Sequence, residues 1–531
     1  MPKITIDGTE FEAKDGATVI QTCADNGIDI GHYCWHPGLS PEGNCRMCLV
    51  EVEKAPKLMP SCMTTVGDGM VVKTQHTSEK VREAQRDVME FLLVDHPIDC
   101  PICDQAGECK LQDYYMQYDR QPSQVPLDSK VHKPKRQKFS EQVTYDAERC
   151  ILCTRCVRFC REIEGKEELG MINRGAVSLI SLYNDEAKLS GDYQVNIVDI
   201  CPVGALTHSD FRFKKRVWFM DYTPSICAGC SRGCNVTVGS HNAKVYRYKP
   251  RENQDVNQWW MCDEGRLTYK QVHAEGRLLK PRLRSGGDNS EYTDWRRVLD
   301  RSADVIKLLE KKEGPQAIAA IGSPLASTEE NYLLKKLFAA RFPGAKVAFP
   351  AADLYKEGGP DKLLKTGDKA PNARAGAALG LTDTIESVIE GIEAGTIKAL
   401  YMLGDDLAAT GPLAERFAKA AEKLSWLMVQ SPYYHATAQR AHAVLAATHH
   451  LESQGTFINF EGRVQRFAPA IKPQVEARTG VQILQDMAAA LGADIPGGEG
   501  AQVFDALAAE EKQFSGLSWN ALGDQGAKLG Q

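Results

Sequence analysis

The run Cys150-Ile151-Leu152-Cys153-Thr154-Arg155-Cys156-Val157-Arg158-Phe159-Cys160 decides how the front half of this chain is organised. Its spacing is C-x2-C-x2-C-x3-C, and three thiolates this close together can wrap one face of an iron–sulfur cube. The Cys201-Pro202 pair supplies a more distant fourth ligand. Packing alone rarely produces such a density of cysteines, so buried structural thiols are a poor explanation.

The neighbourhood of Cys201 shows how many clusters this run serves. In two-cluster ferredoxins, the last cysteine of such a run binds a second cluster, which has a C-x2-C-x2-C run of its own. Here only Asn196-Ile197-Val198-Asp199-Ile200 precedes Cys201, so one [4Fe–4S] cluster is predicted. Cys160 is left as a relic position or a structural thiol. The predicted ligands are Cys150, Cys153, Cys156 and Cys201.

Arginines at positions 149, 155, 158 and 161 flank the run. They could balance the negative charge of a thiolate-bound cluster, although solvated arginines are the plainer interpretation.

Composition limits the class of protein. The chain has 531 residues, a net charge of −6, 43% hydrophobic and 25% charged residues, which is ordinary for a soluble protein of several domains. The charge gives no sign of nucleic-acid binding, and no apolar run approaches the roughly 18 residues of a membrane span. The N-terminus lacks signal-peptide character, so a cytosolic location is the default expectation. All 17 cysteines lie between Cys23 and Cys262, as expected of metal ligands in a reducing compartment.

Residues 1–76 are predicted to form a small β-rich domain. Ile4 and Ile6 alternate with polar residues, Asp7-Gly8 is a hairpin turn signal, and a short helix spans about residues 17–26. Cys23 falls on the apolar face of that helix and is predicted to be a core thiol.

A first ligand set follows the helix, with spacing C-x10-C-x2-C-x13-C. The first gap is longer than in plant-type ferredoxins, but the strand–helix–loop order resembles the β-grasp ferredoxin fold, and a [2Fe–2S] cluster is predicted. Zinc is the alternative, although zinc sites usually use two short C-x2-C knuckles. The predicted ligands are Cys34, Cys45, Cys48 and Cys62.

A second set follows a predicted amphipathic helix over residues 78–94, whose apolar face is assigned to Val81, Ala84, Val88, Phe91 and Leu92. Its spacing is H-x3-C-x2-C-x5-C, so three cysteines leave one ligand missing and His96 lies at the right distance. A neutral imidazole in place of a thiolate should raise the cluster's reduction potential. The predicted ligands of this [4Fe–4S] cluster are His96, Cys100, Cys103 and Cys109.

A fourth set has the spacing C-x2-C-x3-C-x27-C. Zinc could use it, but beside three cluster sets another [4Fe–4S] cluster is favoured. Its predicted ligands are Cys227, Cys230, Cys234 and Cys262. Four clusters then use 15 cysteines and His96, and only Cys23 and Cys160 are left over.

The four sets, in this order and with these spacings, resemble the large iron–sulfur subunit of bacterial respiratory complex I, the proton-pumping NADH:quinone oxidoreductases. The resemblance covers the first 266 residues and implies one [2Fe–2S] and three [4Fe–4S] clusters on the sets above. In the family, the fourth cluster lies off the main electron path.

The back half matches the same family more weakly. Buried strands are predicted at residues 317–322, 399–403 and 426–429, and Ser327 with Glu330 forms a capping box that opens a helix to about Ala340. The alternation of strands and helices predicts an α/β domain with a largely parallel sheet. The segment Ser453–Gln465 resembles one that recurs in complex I large subunits and molybdopterin oxidoreductases. The resemblance implies a shortened molybdopterin-oxidoreductase-like domain without the cofactor.

The predicted fold class is therefore multidomain, α+β and α/β. It comprises an N-terminal β-grasp [2Fe–2S] domain, a [4Fe–4S] ferredoxin-like region and the shortened C-terminal domain. The predicted domains are residues 1–76, 77–119, 140–219, 220–276 and 277–531, with 120–140 as a polar connector.

The resemblance also implies a function and partners. Electrons from NADH, oxidised on a flavin- and NADH-binding subunit with its small [2Fe–2S] partner, would pass through this chain toward quinone-side subunits. No side chain here makes bonds in the reaction, and no G-x-G-x-x-G fingerprint indicates NADH binding. The expected location is peripheral, on the cytoplasmic side of the plasma membrane, without membrane insertion or nucleic-acid binding.

Three other enzyme classes share this front half. A molybdenum formate dehydrogenase usually needs a Cys or selenocysteine ligand in its back half, and residues 263–531 contain neither. An [FeFe]-hydrogenase needs further cysteines after the fourth set. The small diaphorase subunit of an NAD-reducing hydrogenase would end before the α/β domain. A non-catalytic assembly scaffold has no need of four clusters.

Overall fold

The computed structural model describes residues 1–119, 125–184, 186–284 and 290–530. The chain divides into two compact units, Met1–Met220 and Asp221–Gln531. The predicted domain boundaries stay predictions. Among the described residues, no helix combines the length and apolar character needed to cross a bilayer.

The first unit begins with a five-stranded mixed sheet around one helix, Val19–Asp25. Thr18 caps this helix in a capping box with Gln21, which places its start two residues after the predicted one. Cys23 lies on the buried face of the helix, and the prediction of a core thiol is confirmed. In sheet order the strands are Thr9–Glu12, Lys3–Ile6, Met70–Lys73, Leu49–Val52 and Met59–Pro60.

The second helix spans Glu79–Asp95, within one residue of the predicted range at each end, and Val81 of the predicted apolar face is buried, but Phe91 is not. Phe91 is 78% exposed. The amide of Gln85 donates to the carbonyl of Met47 at 3.3 Å, and the hydroxyl of Tyr33 contacts the sulfur of Met89 at 3.0 Å. This face packs on the loop that carries the first cysteine set, and that contact decides which side is buried. The buried residues are Val81, Gln85, Met89 and Leu93.

The remainder of the first unit consists of short elements that hold long loops. Its short strands are Gln137–Lys138, Val143–Tyr145, Leu206–His208, Leu169–Ile172 and Leu179–Leu182. Its short helices are Lys110–Tyr114, Arg155–Phe159 and Asn196–Asp199, and its single turns of other helix types are Cys100–Ile102, Tyr115–Asp119, Leu127–Ser129, Ala147–Arg149, Cys160–Glu164, Gly175–Val177 and Val217–Phe219. With so little regular structure, the loops depend on side-chain contacts for their shape.

The second unit begins with an antiparallel three-stranded sheet, Asp221–Ile226, Asn235–His241 and Lys244–Pro250. A seven-stranded sheet follows, and its core is parallel as predicted. The observed strands Ile318–Ile321, Ala399–Leu403 and Trp426–Ser431 match the predicted ones.

Two antiparallel strands complete one edge of this sheet and a short parallel strand completes the other. In sheet order the strands are Ser290–Tyr292, Arg282–Arg284, Ala443–Ala446, Trp426–Ser431, Ala399–Leu403, Ile318–Ile321 and Val347–Ala348. A further sheet contains Gly455–Ile458, Arg463–Phe467 and Ala527–Lys528.

Helices cover the parallel sheet and bury a continuous apolar core against it. Ser327 and Glu330 form the predicted capping box of the helix Thr328–Arg341. The helices of this unit are Asp263–Leu267, Trp295–Glu313, Thr328–Arg341, Ala375–Ala378, Ile385–Glu393, Ala414–Ala421, Ala436–Arg440, Gly480–Leu491, Gly500–Glu510 and Trp519–Leu522. Its 3-10 turns are Thr268–His273, Pro315–Ala317, Ala352–Tyr355, His450–Glu452 and Lys512–Phe514.

Candidate metal centres

The first cysteine set comes together in the five-stranded domain. Hydrogen bonds link the Cys34 thiol to Cys45 and Cys62, and the Cys48 thiol to Cys62. The backbone N–H groups of Tyr33 and Cys34 both point at the sulfur of Cys45, at 3.4 Å. The structure therefore gathers all four predicted side chains and already provides N–H donors to one sulfur.

The second set lies around the end of the helix Glu79–Asp95. Cys103 and Cys109 are buried, and burial raises the pKa of the Cys109 thiol to about 11. The charges of Cys100 and Cys103 add to this rise. His96 is the C-cap of the helix.

The ring of His96 is neutral, and its tautomer is set by a backbone hydrogen bond. Burial lowers its pKa to about 4. Its Nδ1 accepts a hydrogen bond from the N–H of Ile98 at 3.1 Å, which places the ring proton on Nε2. Binding iron through Nε2 would require that proton to move to Nδ1 and the Ile98 contact to break. His96 as a ligand therefore stays a prediction.

The third set surrounds a single cavity. Its lining includes all four predicted cysteines and leaves out Cys160. Cys160 is 1% exposed, and burial with the charges of Glu164 and Glu168 raises its pKa to about 12, as expected of a structural thiol. Besides Tyr145, Thr154, Arg155 and apolar side chains, the lining contains Cys150, Cys153, Cys156 and Cys201.

The backbone of this loop turns amides toward the sulfurs. Leu152 and Thr154 have φ of 53° and 61°, the left-handed region that side chains other than glycine seldom adopt. In this conformation the N–H of Leu152 contacts the sulfur of Cys150 at 3.4 Å. Strain of this kind persists only where surrounding contacts fix the loop, and it is frequent at functional sites.

The fourth set bridges two strands and a helix of the second unit. The N–H of Cys227 bonds the carbonyl of Cys234 at 2.9 Å, and Cys262 caps the helix Asp263–Leu267. Gly265 is pressed against the set, since a Cβ there would lie 3.0 Å from the sulfur of Cys227 and 3.1 Å from that of Cys262. Its N–H donates to the Cys262 sulfur at 3.3 Å.

The chemistry of these donors fits iron–sulfur clusters. All 17 cysteines are free thiols and 12 of them are buried. Burial disfavours thiolates, and a bound cation such as a cluster iron would stabilise them. Within the described parts of the chain, no group of three or more His, Cys, Asp or Glu side chains is placed so that it could hold a single metal ion.

Three residues beside the sulfurs were not predicted from the sequence. Tyr145 hydrogen-bonds the Cys150 thiol, and a Cβ on Gly204 would overlap the sulfur of Cys103. The third neighbour is Gly265. Both glycines could have been found from the sequence, because each lies three residues after a predicted ligand. Gly204 follows Cys201, and Gly265 follows Cys262.

Most of the arginines near the third set are buried, whereas the sequence favoured solvated side chains. Arg149, Arg155 and Arg158 are buried, and only Arg161 of the four is exposed, so the solvated interpretation is wrong for three of them.

A separate cavity lies at the carboxyl ends of the parallel strands. Leu403, Gln430 and Ala447 line it, together with His450, whose pKa burial lowers to about 3. No cysteine is part of its lining. The absence of molybdopterin stays a prediction, which metal analysis can test.

Family models match the chain in five segments. They describe a 2Fe-2S iron–sulfur cluster binding domain at residues 2–77 and an NADH-ubiquinone oxidoreductase-G iron–sulfur binding region at 85–123. The NADH-quinone oxidoreductase subunit 3 ferredoxin-like domain matches 140–207. The molybdopterin oxidoreductase Fe4S4 domain matches 220–274, and molybdopterin oxidoreductase matches 356–490.

Curated relatives agree with these segments. The G-type subunit of NADH-quinone oxidoreductase from Rickettsia felis is 40% identical over 337 residues, which are 64% of this chain and 49% of the relative. The NADH-ubiquinone oxidoreductase 75 kDa subunit of Reclinomonas americana is 38% identical over 346 residues, 64% of this chain and 47% of the relative. The chain thus spans about half the length of the curated relatives it matches.

Among solved structures, a crystal structure of an NAD+-reducing [NiFe]-hydrogenase in the H2-reduced state is 27% identical. The match covers 41% of this chain and 91% of that chain, with a TM-score of 0.36. Over the matched region, the chain is similar to the large 75 kDa-type iron–sulfur subunits of NADH-quinone oxidoreductases.

Proposed function

We propose that this chain is the electron-transfer subunit of a proton-pumping NADH:quinone oxidoreductase and carries one [2Fe–2S] and three [4Fe–4S] clusters. The first set would hold the [2Fe–2S] cluster, and the other three sets would each hold a [4Fe–4S] cluster, with His96 as the single nitrogen ligand. Bound clusters of these kinds supply one-electron transfer without bond-making chemistry. The chain has no catalytic residue in this proposal.

The cavity of the third set supports this proposal best. Four cysteines that are up to 51 residues apart in sequence line one enclosed space, and the neighbouring Cys160 does not. If these thiols were only structural, there would be no reason for four cysteines to line the cavity while Cys160 does not. Ligation of one cluster by four cysteines explains that arrangement.

The chain's own groups would tune the sites in three ways. Buried thiolates hold iron, and backbone N–H groups aimed at sulfurs stabilise the reduced, more negative state. Such donors contact Cys45, Cys150 and Cys262. The neutral ring of His96 would raise the potential of the second site relative to an all-thiolate one.

The partners in this proposal are a flavin- and NADH-binding subunit, its small [2Fe–2S] companion and the quinone-side subunits. The chain would lie on the cytoplasmic side of the plasma membrane as a peripheral part of the complex. Co-purification from membranes tests this assignment. Recovery with a flavin-binding subunit and membrane subunits supports it, and recovery in a soluble complex with a hydrogenase or formate dehydrogenase overturns it.

Iron analysis of the full chain tests the cluster count. After anaerobic reconstitution, one two-iron and three four-iron clusters give about 14 iron atoms per chain. A value of about 10 iron atoms would mean that one four-iron cluster is absent. Cysteine variants in the fourth set would then show whether the absent cluster is the fourth one. Zinc in place of iron at any set contradicts the proposal for that set.

A further inference from the structure

Two buried arginines lie on the helix that carries Cys156. Arg155 is 7% exposed and Arg158 is 1% exposed. Such burial is unusual for a residue that is always charged, and it requires nearby hydrogen-bond acceptors and negative charge. What these side chains contact therefore matters for the sites beside them.

Arg158 joins the loops of the first and third sets. Its guanidinium donates to the carbonyl of Cys34, a predicted ligand of the first set, and, at 3.4 Å, to the carbonyl of Cys153, a predicted ligand of the third. It also donates to the carbonyl of Ser40 and lies 3.7 Å from Glu42. One side chain thus touches ligand residues that are 119 positions apart.

Arg155 makes a parallel connection. One nitrogen donates to the carbonyl of Trp35, beside Cys34, and another donates to the carbonyl of Ile200, beside Cys201, at 2.9 Å. Its Nε is buried and has no hydrogen-bond partner in the described structure. Arg155 lines the cavity of the third set, so a sulfur bound there is a candidate acceptor for that N–H.

The charges around Arg155 come from both sets. The cysteine charges that act on it are those of Cys153 and Cys201 from the third set and Cys45 from the first. Arg158 adds a second positive charge nearby. Two buried cations are stable side by side only if negative charge surrounds them, and thiolate-ligated clusters, which carry a net negative charge, provide it.

We propose that Arg155 and Arg158 form a guanidinium bridge that fixes the spacing of the first and third clusters and raises the reduction potentials of both. In this bridge Arg155 also donates its Nε–H to a sulfur of the third cluster. The inference rests on the proposed function, since it needs clusters at both sets. Two further contacts hold the same loops together, Asn44 to the carbonyl of Leu152 at 2.8 Å and Ser40 to Glu162 at 2.9 Å.

The sign of the effect follows from charge. Reduction adds an electron to a cluster, and a buried cation stabilises the more negative product. Removing the cation therefore makes both potentials more negative. Removing the Nε–H donor as well shifts the third cluster further than the first.

The experiment compares Arg155→Met, Arg155→Lys and Arg158→Met in the full reconstituted chain. Potentials are measured by redox titration with electron paramagnetic resonance, and the magnetic interaction between the two clusters is read from the same spectra. Arg161→Met is the matched control, because Arg161 lies in the turn that continues this helix, but its side chain is 53% exposed and pairs with Glu162.

We expect R155M to shift both potentials to more negative values, with the larger shift at the third cluster. R155K keeps the charge but loses the Nε–H, so it should shift the third potential alone. R158M should shift both potentials and change the magnetic interaction. R161M should leave all three readouts at the values of the unmodified chain.

The inference is overturned if R155M and R158M retain both signals at full intensity and behave like R161M. If R155M loses its clusters, the reduction potential of the third cluster in R155K is the deciding measurement. An unchanged potential contradicts the role of the Nε–H as a donor, and a shift to a more negative value supports it. Absence of either signal from the unmodified chain is a different result, because it contradicts the proposed function.

Discussion

The third and fourth cysteine sets bring backbone amides to sulfur in different ways. Beside the third set, Leu152 and Thr154 adopt left-handed backbone although both carry a Cβ. Beside the fourth set, Gly229 and Gly265 present their N–H groups to Cys227 and Cys262, and the missing side chain leaves room for the sulfurs.

Because of this difference, the two sites should be sensitive to different substitutions. The third loop accepts strained conformations because buried contacts, above all those of Arg155 and Arg158, hold it from both sides. The fourth set is limited by space, since a Cβ on Gly265 would lie closer to two sulfurs than an ordinary van der Waals contact. The third site should therefore respond to lost contacts, and the fourth site to added atoms.

The largest effect is expected from Cys156→Ala, compared with Cys160→Ala. Cys156 lines the cavity of the third set and Cys160 does not, although they are one turn apart. We expect C156A to lose about four iron atoms per chain with the signal of that cluster. C160A should keep all iron and lose about 1 kcal/mol of stability from a truncated buried side chain. Iron loss in C160A rather than C156A would contradict the assignment of Cys156 as the ligand.

An intermediate effect is expected from Gly265→Ala. The added Cβ would lie 3.0 Å and 3.1 Å from two sulfurs, a clash that a shift of a few tenths of an ångström relieves. The fourth site should consequently fill only in part, while the other sites stay full. Gly497→Ala is the control, because a Cβ there meets no atom within 4 Å. Iron content and resonance spectra measure the occupancy, and full occupancy in G265A would show that space does not limit this site.

The smallest effect is expected from His96→Cys, which extends the comparison to a set that differs in ligand chemistry. A thiolate adds negative charge where imidazole has none, so the potential of the second cluster should fall while iron content is kept. Redox titration of the reconstituted variant measures the change, with the first cluster as internal reference. An intact cluster at an unchanged potential would show that His96 is not a ligand.

Local patterns made much of the fold predictable. Alternating Ile4 and Ile6, the capping box at Ser327 and the buried strand Ala399–Leu403 depend mainly on neighbours in sequence, and the structure has them as predicted. Cysteine spacing likewise anticipated the four residues that line the third cavity, because ligand geometry limits the spacing.

Contacts between distant loops were not predictable. The apolar residues of the helix Glu79–Asp95 suit more than one face, and only its packing on the loop around Met47 buries Gln85 and exposes Phe91. The burial of Arg155 and Arg158 depends on carbonyl groups at Trp35 and Cys34, more than 100 residues earlier. No pattern within the run itself contains that information.

The turn at Gly204 has a consequence for how the protein matures. It begins with Cys201, a predicted ligand of the third set, yet Gly204 fits against the sulfur of Cys103, in the second set. The carbonyl of Pro202 accepts the N–H of Lys110, next to Cys109. Filling one site therefore orders the segment that the other needs. During iron delivery, the two sites should mature together, and half-loaded chains with only one of them should be rare.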